Sequence, residues 1–239
     1  MSRILILGGT AEARRLADCL GDHAVITSLA GRTRNPAQTA GGEMRVGGFG
    51  GTDALAVYLR EAGIEAVVDA THPFAIQISA NAVAACMQEH IPRLALVRPP
   101  WHAELGDRWI EVADAEAAAQ ALDGYAKAFL AVGRQGLAPF GHCRDIAFVV
   151  RVVELPETVP LAHATVVVGR GPFALAAERT LLAEHHIDVV VAKNAGGDRA
   201  KLDAARESNI PVILIARPPP PPGSAVRTVV EAVDWVRVL

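Results

Sequence analysis

The sequence predicts an α/β protein made of two doubly wound domains with parallel sheets. Three observations carry that prediction. Short β-branched runs alternate with Ala-rich stretches along nearly the whole chain, the rhythm of repeated strand and helix units. Apolar residues make up 51% of the 239 residues but aromatics only 5%, so the core must be built from Ala, Val, Leu and Ile, which suits parallel sheets covered by Ala-rich helices. The rhythm breaks at Arg98-Pro-Pro-Trp-His102, where two prolines cannot continue a central strand, and then resumes.

The elements follow in order. Strands are expected at Ile4–Leu7, Val25–Thr27, Met44–Val46, Ala66–Asp69 and Leu94–Val97, each a short apolar run. Helices fit Thr10–Leu20, Thr52–Ala62 and Pro73–His90; the last would start with proline at its first position, where a missing N–H costs nothing, and with Thr71 or His72 as cap and lead-in. Past the break, strands are read at Phe129–Val132, Ala147–Val152, Val166–Val168, Val189–Ala192 and Val212–Ala216, and helices at Pro172–His185 and Asp198–Asn209. This divides the chain into an N-terminal domain (1–98), a crossover segment (99–125) and a C-terminal domain (126–217). In the remainder (218–239), five consecutive prolines, Pro218–Pro222, would span about 15 Å as polyproline II. They read as a stiff strut leading to an amphipathic helix over Val226–Val238, which is free to pack back across the domain boundary. A proline-motif ligand for a signalling domain is the rival reading, disfavoured because the run joins two ordered elements.

Composition excludes several function classes. Cys19, Cys86 and Cys143 show no paired spacing and read as reduced thiols, which points to the cytoplasm. The chain opens directly on a strand and has no apolar run approaching a membrane span, so neither secretion nor membrane insertion is expected. A net charge of -3 argues against general attraction to nucleic acid; any anion site must be local. His142-Cys143 and His185-His186 lack the further ligands of a zinc site, so metal binding is not expected. No nucleophile elbow marks a covalent hydrolase.

Four segments of the first half carry chemistry. Ile4-Leu-Ile-Leu-Gly-Gly-Thr-Ala-Glu-Ala13 has the form of a phosphate-binding turn, with Gly8 and Gly9 permitting close backbone approach and a helix N-terminus following. The match to the full glycine fingerprint is partial, because Thr10 and Ala13 take the second and third glycine places; a tight structural turn is the alternative. At the end of the second strand, Thr27-Ser-Leu-Ala-Gly-Arg-Thr33 lacks the carboxylate that would hold a ribose 2′-hydroxyl. Ser28, Arg32 and Thr33 suit a 2′-phosphate instead, so NADP is preferred to NAD unless Arg32 is merely a solvated loop charge. Gly47-Gly-Phe-Gly-Gly51 suits a loop passing close to a ligand, or a bulge or hinge. Asp69-Ala-Thr-His-Pro-Phe-Ala75 ends a buried strand on a carboxylate, a hydroxyl and an imidazole; Asp69, Thr71 and His72 either face a ligand crevice or simply start a helix.

The second half adds a rim of cations. Strands end on Arg134, Arg170, Lys193 with Asn194, and Arg217, and the last strand of the first half ends on Arg98. Parallel strands deliver their carboxyl ends to one edge, where ligands of open α/β sheets bind. A single such charge is usually solvated. Five at strand ends suggest a ligand with several carboxylates or phosphates, which the arginine fork fits.

Taken together, Gly8-Gly-Thr10, Ser28–Thr33, Gly47–Gly51, Asp69–Ala75, Arg98-Pro-Pro-Trp101, Gly133-Arg134 and Lys193-Asn-Ala-Gly-Gly197 resemble the precorrin-6A reductase family of cobalamin biosynthesis, in order and over nearly the whole chain. The resemblance implies two Rossmann-like domains with a cleft between them and elements exchanged across the boundary. It implies NADPH as cofactor and reduction of the C18–C19 double bond of precorrin-6A, a metal-free tetrapyrrole rich in acetate and propionate groups, to precorrin-6B. On that basis Gly8, Gly9 and Thr10 would contact pyrophosphate, Ser28, Arg32 and Thr33 the 2′-phosphate, and Asp69, Thr71 and His72 the nicotinamide side. Arg98, Arg134, Arg170, Lys193 and Asn194 would hold substrate carboxylates, and the proton donor stays open among His72, Lys193 and water. A monomer is expected, with transient hand-off of product to the next pathway enzyme. An NADP-binding sensor or scaffold without turnover is the rival from another class, and a transferase using the same turn is a second; the strand-end cations disfavour a pure sensor.

Overall fold

The computed structural model describes residues 2–31 and 41–239. They form two compact units, one reaching to Pro99 and including Pro218–Leu239, the other spanning Pro100–Arg217.

The first unit opens with β1 (Arg3–Leu7), α1 (Ala11–Cys19), β2 (Ala24–Leu29), β3 (Glu43–Val46), α2 (Thr52–Glu61), β4 (Ala66–Asp69), α3 (Ile76–Gln88) and β5 (Arg93–Leu96), and closes with β12 (Ala225–Val226) and α7 (Val229–Arg237). Its six strands are parallel in the order β12-β5-β4-β1-β2-β3. Strand β1 shows why an uninterrupted apolar run marks a central strand. Ile4 and Ile6 pack on one face with α1 and α7, Leu5 and Leu7 on the other with α2 and α3. Each is at most 2% exposed, and each contributes about 1.5–3 kcal/mol by leaving water.

The second unit contains β6 (Trp109–Val112), α4 (Ala115–Gln120), β7 (Lys127–Ala131), β8 (Ala147–Val152), β9 (Ala164–Val168), α5 (Leu175–Glu184), β10 (Val189–Lys193), α6 (Ala200–Glu207) and β11 (Val212–Ile215). Its sheet is also parallel, in the order β6-β11-β10-β7-β8-β9. A buried ion pair crosses its core. Arg151 of β8 binds both carboxylate oxygens of Glu178 on α5, with side chains 8% and 2% exposed, and the guanidinium lies 4.7 Å from the Phe129 ring centre and 4.0 Å from that of Phe173.

The α/β class and the parallel sheets are those the sequence predicts. Around β1 in the first sheet and β7 in the second, two following strands lie to one side (β2 and β3, β8 and β9) and the next two to the other (β4 and β5, β10 and β11). The sixth position is filled by exchange: β6 follows β5 in sequence yet pairs with β11, and β12 follows β11 yet pairs with β5. The segment 99–125, read as a crossover, therefore carries a strand and a helix of the second sheet. The helix read from Val226 starts at Val229, because Val226 belongs to β12. Likewise α3 begins at Ile76, three residues after Pro73, and Thr71 does not cap it. Local side-chain bonds across 69–74 take its place.

Candidate functional site

In the first sheet, strand order reverses between β1 and β4, and the carboxyl ends of those strands flank the crevice such a reversal creates. Gly8 follows β1 and donates its N–H to the Ser28 carbonyl at 2.9 Å; a Cβ there would meet Thr27 and Leu29 side chains at 3.1 and 3.2 Å. Gly9, at φ 110°, has open space where a side chain would stand, so the backbone offers an unobstructed approach. Thr10 caps α1: its Oγ1 accepts from the Ala13 N–H at 3.1 Å and donates to the Ala70 carbonyl at 2.7 Å. One hydroxyl thus ties the β1 turn to the exit of β4.

That exit is built around Asp69, 3% exposed. One carboxylate oxygen accepts from the Thr71 N–H (3.2 Å) and hydroxyl (2.7 Å); the other faces Arg93 at 3.6 Å. Asp69 therefore orients Thr71, whose hydroxyl also lies 3.3 Å from that of Ser79. His72 accepts the Phe74 N–H on Nδ1 at 3.2 Å, which places the proton of its neutral form on Nε2. Thr10, Glu12, Thr71, Pro73, Leu96 and Arg98 line a small crevice here. Arg98, expected on the substrate side, lies in this unit and pairs with Glu12 at 3.0 Å. Nearby Cys86 is no nucleophile: burial pushes its thiol up to about 11, against the pull of Arg93 and with a push from Asp69.

Ser28, 6% exposed, stands at the end of β2 beside Gly8. Arg32 and Thr33 lie outside the described residues. The cation that is described here is one the motif reading missed, Arg45 of β3, paired in register with Ser28 and 3.4 Å from its hydroxyl. Its guanidinium donates to the carbonyls of Gly47 and Gly48 and stacks 3.9 Å from the Phe49 ring centre. Its place immediately ahead of the glycine-rich segment was the available signal.

In the second sheet the order reverses between β7 and β10. Arg134, exposed, opens a short 3-10 turn after β7, and half-buried Lys193 ends β10; a Cβ on Gly136 of that turn would meet Lys193 Nζ at 3.5 Å. Arg134 and Lys193 thus flank one reversal point. Arg170 follows the edge strand β9, two strand spacings or about 10 Å from β7. The Asn194 amide is engaged by backbone: Oδ1 accepts from the Trp101 N–H at 2.9 Å and Nδ2 donates to its carbonyl at 3.2 Å. The Trp101 indole in turn donates to the Gly197 carbonyl at 2.9 Å, and Arg217 Nε to the Asn194 carbonyl at 3.1 Å. Asn194 therefore shapes the loop that follows Lys193. No group of three or more His, Cys, Asp or Glu suited to a metal occurs among the described residues.

Comparison with known proteins gives one consistent result. The family described as "Precorrin-6x reductase CbiJ/CobK" matches residues 3–237. A precorrin-6A reductase from Rhodococcus erythropolis is 46% identical over 246 residues, covering 100% of this chain and 99% of its own. One from Mycobacterium tuberculosis is 48% identical over 243 residues, covering 99% and 98%. The solved structure of "CobK precorrin-6A reductase" superposes with a TM-score of 0.95 at 45% identity, covering 100% of this chain and 97% of that one.

Proposed function

Since this chain belongs to the precorrin-6x reductase family, we propose that it reduces the C18–C19 double bond of precorrin-6A with NADPH, giving precorrin-6B in corrin-ring biosynthesis. The carrying observation is the β1/β4 reversal of the first unit. There an open glycine turn, a helix N-terminus and the Asp69–Thr71–His72 tip are tied together by Thr10.

These residues fit the cofactor. Gly8, Gly9 and Thr10, with the first N–H groups of α1, suit its pyrophosphate, and no side chain obstructs Gly9. Ser28, Arg32 and Thr33 would take the 2′-phosphate. When bound, NADPH supplies hydride from its nicotinamide C4. Asp69 holds Thr71 in one rotamer, and Thr71 and His72 would then orient the nicotinamide side. To pass a proton towards C18 while C19 accepts hydride, His72 would have to be the imidazolium, giving up the Phe74 bond on Nδ1 and ending as neutral imidazole; Lys193 and water are the other donors in play. Lys193, Arg134 and Arg170 would hold substrate carboxylates as point charge and forks, with Asn194 fixing the Lys193 loop and Arg98 contributing from the first unit. We extend the proposal to a monomeric cytoplasmic enzyme, its three cysteines free, that hands product transiently to the next pathway enzyme.

Mixing the protein with NADPH and precorrin-6A and following both chromophores tests this directly. Coupled loss of both is expected. Binding of NADPH without its oxidation would leave a sensor in place of an enzyme. In single turnover, His72→Ala is expected to slow hydride transfer; an unchanged rate removes His72 from the chemistry.

A further inference from the structure

The segment Gly47–Gly51 has no assigned task in the reduction, and the residue that organises it is Arg45. Three neighbouring strands deliver their ends side by side. Leu7 pairs in register with Ser28, and Ser28 with Arg45, so the β1 phosphate turn, the Ser28 hydroxyl and the Arg45 guanidinium stand in a row along the carboxyl edge of the sheet. The end of β2 is where a sheet of this strand order meets the ribose 2′ position of a bound dinucleotide.

Arg45 is held as a recognition group would be. Three of its five N–H donors go to Ser28 Oγ and to the carbonyls of Gly47 and Gly48, and its plane is fixed by Phe49 at 3.9 Å and Tyr58 at 5.2 Å. None of these partners neutralises it. Arg45 has no carboxylate partner among the described residues, and the intervening sequence 32–40 contains no Asp or Glu. Gly47, at φ 124°, and Gly48 leave open space where side chains would stand, so the two residues whose carbonyls grip Arg45 add no side chain of their own beside it. A half-buried, oriented, uncompensated guanidinium beside a hydroxyl is a site for a dianion.

We propose that Arg45, positioned by the Gly47–Gly51 loop and Phe49, binds the 2′-phosphate of the cofactor together with Ser28 and sets the preference for NADPH over NADH. This rests on the NADPH reading above, and the test separates the two. Binding of 2′,5′-ADP and of 5′-ADP is measured by titration calorimetry on the wild-type chain, Arg45→Gln and Arg45→Lys. Wild type should favour 2′,5′-ADP. Arg45→Gln should lose about ten- to a hundred-fold in affinity for 2′,5′-ADP and little for 5′-ADP, the loss of one or two charge-assisted bonds. Arg45→Lys should recover part of it. If Arg45→Gln weakens both nucleotides equally, or neither, Arg45 only staples the loop and the proposal is overturned. If Arg45→Gln does not fold, an Arg45→Lys protein with unchanged selectivity overturns it as well. If wild type itself binds both nucleotides equally, the NADPH reading fails first and this one with it.

Discussion

Replacing Glu178 by Ala should unfold the second unit far more readily than any surface change on the same helix. Arg151 and Glu178 are 8% and 2% exposed and joined by two N–H···O bonds, with Phe129 and Phe173 against the guanidinium. Removing the carboxylate strands a positive charge in the core, where the Arg151 Nε already lacks a hydrogen-bond partner. Breaking a buried pair in this way costs about 3–5 kcal/mol. With a urea slope of about 2 kcal/mol/M, the midpoint falls by about 2 M. The adjacent pair Arg179–Glu207, 51% and 39% exposed, is the internal control: Glu207→Ala should cost less than about 1 kcal/mol. Trp101 and Trp109 lie in the second unit and Trp235 in the first, so urea titrations of tryptophan fluorescence in a Trp235→Phe background report on the unit concerned. Arg151→Met combined with Glu178→Leu should regain most of the loss, since an apolar replacement leaves no charge behind. A Glu178→Ala protein no weaker than the Glu207→Ala control, or a double replacement weaker than either single one, would refute the reasoning.

Thr10→Val removes the α1 cap and strands the Ala70 carbonyl; it should cost about 1–3 kcal/mol in urea and weaken NADPH binding, while Thr10→Ser retains both bonds and should match wild type. Burial raises the Cys86 thiol from 9.0 to about 11, so the folded chain keeps a proton that the unfolded chain loses in that window. The Cys86 contribution to stability should therefore be constant below about pH 9 and fall between 9 and 11, so wild type should lose stability there more steeply than Cys86→Ala; equal slopes in the two proteins would be the contrary result. At pH 8 exposed Cys19 should react with a thiol reagent well before Cys86.

Where sequence and structure agree, the signal was local. Ile4–Leu7 followed by two glycines can hardly be anything but a central strand entering a tight turn, and the cationic strand ends announce themselves by position. What escaped depends on partners far along the chain or on competition within a few residues. The structural part of Asn194 escaped because nothing nearby in sequence shows that its amide closes on the Trp101 backbone 93 residues away. The two-residue β12 is too short for any periodicity and β6, Trp109–Val112, is interrupted by Glu111, so their neighbours β5 and β11 make them strands. At 69–74 the local signal itself misled: Pro73 suits a helix start, but the Thr71 bonds to Asp69 and the Phe74 bond to His72 satisfy the backbone as a turn and defer α3 to Ile76. Arg45 has one local signal, its place just ahead of Gly47–Gly51, but its register beside Ser28 depends on the pairing of β2 with β3 and is not visible in the sequence.

The exchanged sixth strands impose an order on biosynthesis. Residues Pro100–Arg217 emerge from a ribosome as one contiguous segment and can complete their sheet while the remainder is still being made. The unit that begins the chain cannot. Its core includes Ala232, Val233 and Val236 from α7, and its β5 edge stays unpaired until Ala225 and Val226 arrive. The first unit to be translated is thus the last to close, and until then β5 offers an open strand edge of the kind that recruits other chains. A protein cut after Arg217 should retain a foldable second unit and a first unit prone to aggregate, so residues 1–99 should fold only with their distant terminal segment supplied in trans or by a permuted chain.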